Sequence, residues 1–258
     1  MQFHPTAVTG IPRREGFLIT EAIRGEGARL LDADGERFVD ELAPRDEVAR
    51  AIWSRMQAGG RPSVGLDMRD VDPLLFPNVV SALRQSGLDP SRELVPVAPA
   101  SHYGMGGIVA DLDGATTVPG LYAVGESACT GLHGANRLAS NSLTECFVFG
   151  ARAARAALTE PRPEATDTPA ATPLPELTTA SREALWEHGG LVRTQGSLER
   201  LLDDPHPLVR LVAAHALLRR ESRGAHARED FPETDPALDG QHSVTPAGSD
   251  VPAYERWA

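Results

Sequence analysis

The chain has 258 residues, 41% of them hydrophobic and 24% charged, with a formal net charge of −11. That length allows one large domain or two to three small ones, and the acidity argues against a non-specific nucleic-acid binder, which would be basic. Two cysteines, Cys129 and Cys146, with no CxxC pair and no histidine at ligand spacing, argue against a disulfide framework or zinc site and fit a reducing cytoplasm.

No apolar run approaches the roughly 18 residues of a membrane span, and the first residues show no charged-then-apolar signal pattern. The chain opens MQFHPTAVTG, with His4 behind an aromatic residue and ahead of Pro-Thr, a placement that suits an active site. LITEAIRGEGARL sets Glu21 and Arg24 three apart. On a helical turn they face the same way and can pair, as routine surface pairs also do.

PRDEVARAIWSRM predicts a helix whose apolar face is Val48, Ala49, Ile52, Trp53 and Met56. Arg45 stands at its start, where a cation opposes the helix dipole at a cost of about 0.3–1 kcal/mol. Asp46 offsets part of that, and the remainder leaves two readings, a solvated arginine or a functional one. VGLDM predicts a short strand. ASHYGMGGIVAD then sets His102 beside glycines at 104, 106 and 107.

GLYAVGE predicts a buried strand with Glu126 at its carboxyl end, where open α/β sheets bind ligands. Glycines 125, 131 and 134 let backbone approach a ligand closely. Arg137 follows in a segment short of charge, and reads either as a surface ion pair or as a ligand contact. SNSLTECFVFGARAARAAL predicts a long helix with Ser142 and Glu145 at capping-box spacing. Its free N–H groups and positive dipole end can hold electron-rich oxygens. Strand, turn and capped helix in this order suggest an α/β layer.

Residues 161–175, PRPEATDTPAATPLP, hold five prolines and read as an extended, semi-rigid linker. Two helices are expected beyond it. LTTASREALWEHGGL is capped by Thr or Ser and stopped by Gly189-Gly190. PLVRLVAAHALLRRES carries Leu208, Leu211, Val212 and Leu218 at helical spacing. The last 28 residues are polar and Pro-rich, and are expected to be irregular.

Four potential cations, His4, Arg45, His102 and Arg137, with no matching acidic cluster would suit a small dianion, because arginine forks bind carboxylates bidentately. No P-loop, G-x-S-x-G or H-E-x-x-H is present. In order, MQFHPT, LITEAIRGEGARL, APRDEVARAI, HYGMGGI and GLYAVGESACTGLHGANRLASNSLTE resemble the motifs of the FAD-dependent fumarate reductase and succinate dehydrogenase flavoprotein family. Within it the spelling is nearest to the branch that oxidises L-aspartate, and ALLRRESRGAHARED resembles the family's helical domain.

The resemblance implies a mixed α+β and α/β fold: a partial FAD-binding domain at 1–8 and 99–160, an inserted α+β capping domain at 9–98, and a small helical domain at 176–258 with an irregular tail. It implies FAD as cofactor, with Glu126 on the ribityl chain and Ser142 and Leu143 facing the flavin ring. His4, Thr20, His102 and Arg137 would hold the carboxylates of a small dicarboxylate, aspartate or fumarate/succinate. Arg45 would act as general acid, with Glu21 and Arg24 relaying its proton. A product feeding quinolinate and NAD synthesis would make quinolinate synthase a functional partner.

The family's G-x-G-x-x-G unit, which holds the adenine half of FAD, does not occur in this sequence. Met1 is accordingly expected to be an internal methionine, and the chain a C-terminal portion inactive alone. Two other readings stand beside this one: a fumarate reductase-like flavoprotein subunit, and a stable cap-plus-helical module that binds a partner chain or a dicarboxylate.

Overall fold

A four-stranded antiparallel sheet in the order β1-β4-β3-β2 organises the first part of the chain. Its strands are β1 (Gln2–Val8), β2 (Arg29–Leu31), β3 (Val64–Asp67) and β4 (Val95–Tyr103). The structure is a computed structural model that describes residues 1–161 and 173–257. It divides into two compact units, Gln2–Tyr103 and Gly104–Ala258, Met1 grouping with the second.

In the unit Gln2–Tyr103, helix α2 (Arg45–Gly59) packs on β1, β3 and β4. Val48, Ala49 and Ile52 are fully buried and Met56 nearly so, the face set by the 3.6-residue period. Gly60, in the left-handed region at φ 57°, ends the helix and donates to the carbonyls of Gln57 and Met56. Ile19, Ile23, Leu30, Leu66, Leu83, Val95 and Val97 complete one core. Two short helices lie alongside, α1 (Ala22–Gly25) and α3 (Pro77–Arg84), the latter opened by its proline.

In the unit Gly104–Ala258, β5 (Ile108–Val109) and β6 (Ala128–Cys129) pair in parallel. Helix α4 (Asn141–Thr159) follows. The expected strand GLYAVGE does not form. Tyr122 makes one isolated bridge to Ala115, and Gly125–Ser127 is a single 3₁₀ turn. The turn at Val118–Leu121 folds the chain back onto 114–116, so the ladder stops there. The expected capping box is also absent. The N-cap is Ser140, so Ser142 already lies inside the helix and cannot cap it.

Most of the expected linker 161–175 lies outside the described residues, which resume at 173. Helices α5 (Thr179–Gly189), α6 (Gln195–Glu199) and α7 (Pro207–Leu218) then pack around Leu198, Leu201, Val209, Ala213 and Ala216. Thr178 caps α5 through the Ser181 N–H. The α7 stripe differs from the expected one: Val209, Ala213 and Ala216 are buried, whereas Leu208 and Leu211 are exposed. The tail is not wholly irregular, since β7 (Gln241–Val244) and β8 (Ala253–Arg256) form an antiparallel hairpin. No helix among the described residues is long and apolar enough to cross a membrane.

Candidate active site

The β1–β4 ladder is irregular where its two histidines lie. Gln2 pairs with Tyr103 and Phe3 with Ser101, leaving His102 extra on β4. His4 pairs with Ala100 and Ala7 with Ala98, leaving one residue extra on β1 around Pro5 and Thr6. Such shifts re-aim side chains, and Pro5 has no N–H to give the ladder. The Thr6 N–H instead donates to His4 Nδ1 at 3.2 Å. Neutral His4 therefore carries its proton on Nε2. The His4 and His102 rings meet edge to face with centroids 5.5 Å apart.

Arg45, the first residue of α2, is the centre of a second cluster. Its Nε donates to Glu21 Oε1 at 2.7 Å and its Nη1 to Gln2 Oε1 at 2.9 Å. Arg24 Nη2 lies 3.6 Å from the same Glu21 oxygen. One carboxylate thus stands between two guanidiniums, which offsets the cost of a cation at a helix start. Burial pushes the Arg24 guanidinium below its ordinary range, Glu21 pulls it back up, and Arg45 lowers it again. Arg24 Nη1 also donates to the Glu41 carbonyl, while its buried Nε has no hydrogen-bond partner among the described residues. Thr20 is exposed just ahead of α1, its hydroxyl accepting from the Ala22 N–H.

Six of the ten residues singled out in sequence therefore lie in the unit Gln2–Tyr103: His4 with His102, Glu21 with Arg24 and Arg45, and Thr20. Gln2 and Glu41 were not singled out. Both are buried, Gln2 on β1 and Glu41 in a turn ahead of α2, and neither place is marked by local spacing.

The other four lie in the unit Gly104–Ala258. Glu126, in the 3₁₀ turn, is exposed and accepts from the Gly104 N–H at 2.8 Å. Arg137 is 4% exposed, its backbone N–H donating to Met105 Sδ at 3.1 Å. Ser142 and Leu143 occupy the first turn of α4. Glu145, expected to cap the helix, instead receives Thr130 Oγ1 at 3.2 Å and pairs with His133 Nε2 at 2.8 Å.

The start of α4 fits a flavin. Ser140 makes no side-chain capping bond; the Asn141 and Leu143 N–H groups donate to the Leu138 and Ser140 carbonyls, which leaves the Ser142 N–H between them for a ligand's polar edge. Leu138, Leu143 and Phe147 are exposed at 74%, 63% and 79%, an apolar surface suited to a flat ring. The exposed Glu126 carboxylate suits a polyol hydroxyl.

The profile of the FAD binding domain family matches residues 1–143, more than half of the chain. The chain belongs to this family. A second profile, fumarate reductase flavoprotein C-term, matches residues 202–252. L-aspartate oxidase from Pyrococcus horikoshii is 46% identical over 90% of this chain and 52% of its own length. That from Caulobacter vibrioides is 46% identical over 92% and 50%. Among solved structures, a quinol-fumarate reductase with menaquinol is 28% identical with a TM-score of 0.81, covering 98% of this chain and 58% of that one. E. coli quinol fumarate reductase gives 28% and 0.78. The chain thus spans about half the length of the curated relatives it matches.

Proposed function

We propose that this chain supplies the acid–base and carboxylate-binding residues of an L-aspartate oxidase, which converts L-aspartate to iminoaspartate. The observation that carries the reading is the Arg24–Glu21–Arg45 chain, in a sequence 46% identical to curated L-aspartate oxidases. The domain assignment follows it: FAD-binding residues at 1–8 and 99–160, a cap at 9–98, and a helical domain at 176–258.

Carboxylate oxygens are assigned to His4, through Nε2–H, to His102 and Thr20, and to the buried Arg137 guanidinium. The proton is exchanged at the Arg45 guanidinium, with Glu21 Oε1 as the next carrier and Arg24 beyond it. Glu126, Ser142 and Leu143 hold the cofactor, the α4 start placing N–H dipoles where negative charge gathers. FAD, when bound, supplies the two-electron acceptor. The product, an unstable imine, calls for a consuming partner, quinolinate synthase, and the two free thiols support the cytoplasm as the compartment.

The fumarate reductase-like neighbours favour one competing reading, a fumarate-reducing subunit. The test is to purify the chain with FAD, scan for bound flavin, and assay aspartate-dependent peroxide formation against fumarate reduction. Peroxide formation is expected only where flavin is bound, and there Arg45→Gln is expected to lower it by roughly 10²–10⁴-fold; the chain without flavin is expected to be inactive. A flavin-bound chain that reduces fumarate and leaves aspartate untouched gives the competing reading. A folded, colourless chain that binds succinate gives the module.

A further inference from the structure

Glu145 is 2% exposed, and both of its oxygens are engaged by one short loop. Thr130 Oγ1 donates to Oε1 at 3.2 Å, and His133 Nε2 lies 2.8 Å from Oε2. The same loop continues through two tight turns, Gly134 N–H to the Gly131 carbonyl and Asn136 N–H to the His133 carbonyl, and reaches Arg137. On its other side the Ala225 N–H donates to the Ala135 carbonyl at 2.9 Å. There a Cβ on Gly224 would sit 2.6 Å from that carbonyl oxygen, so the two backbones touch. The Arg137 N–H ends the run on Met105 Sδ.

A loop that delivers a guanidinium to a substrate must be held to a fraction of an ångström. Glycines at 131 and 134, both at positive φ, give this one little rigidity of its own. We propose that Glu145 and His133 are positioning residues for Arg137, anchoring the 130–138 loop to α4. This inference rests on the reading of Arg137 as a carboxylate ligand. The carboxylate is the suitable group because it accepts two hydrogen bonds from the loop at once, whereas an amide has one acceptor oxygen. With Gln at 145, His133 can still bond the side chain by changing tautomer, so that substitution is the conservative one.

The test is nitrogen-15 relaxation on the 258-residue chain, read at the amides of 131–137 and at Arg137 Nε. It is paired with succinate titration of the same samples with FAD added. In the parent, order parameters near 0.85 are expected throughout. Glu145→Ala and His133→Ala are expected to drop the loop below about 0.6, with the amides of 146–157 in α4 unchanged. Succinate affinity is expected to fall on the order of ten-fold, and Glu145→Gln to recover most of both. Loop order unchanged in His133→Ala and Glu145→Ala overturns the inference, whatever binds. If Glu145→Ala does not fold, His133→Ala and Glu145→Gln carry the test. Arg137→Ala separates the two claims: succinate binding that it leaves intact defeats the reading of Arg137. Binding lost in Arg137→Ala but untouched in a loosened His133→Ala defeats the positioning role alone.

Discussion

Ser140 opens α4 at φ 63°, one of two non-glycine residues with positive φ among those described. An L side chain there costs roughly 1–2 kcal/mol, and Ser140 makes no capping bond to offset it. Ser140→Gly should therefore raise stability, by about 0.5–1 kcal/mol once the looser unfolded chain is counted. The urea midpoint reads this, and a lowered midpoint would show that the serine holds something the backbone geometry does not reveal. The chemistry-bearing residues were legible in sequence as types in a pattern, but their surroundings were not. His4 and His102 stood out, yet the register shifts that orient them arise from pairing between distant segments. Glu145 sat at capping-box spacing, and that spacing is the same whether the helix starts one residue earlier or later.

Among the elements, α2 was the most legible, because one face of a two-sided helix is apolar and the other is charged. Ile52 sits at the middle of that face, fully buried. Ile52→Ala is expected to cost about 2–5 kcal/mol, measurable as a lowered unfolding midpoint; a loss below about 0.5 kcal/mol, the scale of surface substitutions, would mean the helix packs elsewhere. Helix α7 was legible as a helix but not in its orientation. It is apolar nearly all round, so Leu208 and Leu211 suggested a face that the fold leaves exposed. Strand β4, VPVAPASHY, was hidden by two prolines, whose missing N–H groups argue against a strand. The β7–β8 hairpin was hidden by a polar composition, since β7 is only half-buried and β8 is mostly exposed.

For the molecule as a whole, the family could be read from five ordered motifs, whereas the partition into Gln2–Tyr103 and Gly104–Ala258 depends on which strands pair. Acid sensitivity belongs at this scale. Burial first, and then Arg193, hold His226 down from 6.5 to about 4. Its Nδ1 faces Arg193 Nη1 at 2.8 Å and its Nε2 the Arg219 carbonyl at 3.0 Å, so the neutral ring fits and a second proton does not. The unfolded chain binds that proton below about pH 6.5, the folded one only below about 4. Stability should be full above 6.5 and fall as pH drops through that window, by on the order of 3 kcal/mol. Burial lowers His215 in the same sense. Denaturant unfolding at about pH 7 and about pH 5 should show the fall, and His226→Gln should flatten it; an unchanged slope in that variant would place the proton uptake elsewhere.

The pairing of β1 with β4 sets an order of events during synthesis. Val8 meets Val97, 89 positions later, and Gln2 meets Tyr103, 101 later. At about 5–20 residues per second, the first strand emerges roughly 5–20 seconds before its partner exists. All seven residues of β1, Gln2, His4 and Thr6 among them, are buried in the finished fold, so for that interval the strand has no native neighbour on the β4 side. Slowing translation before residue 95 should lengthen that exposure more than a pause anywhere later in the message.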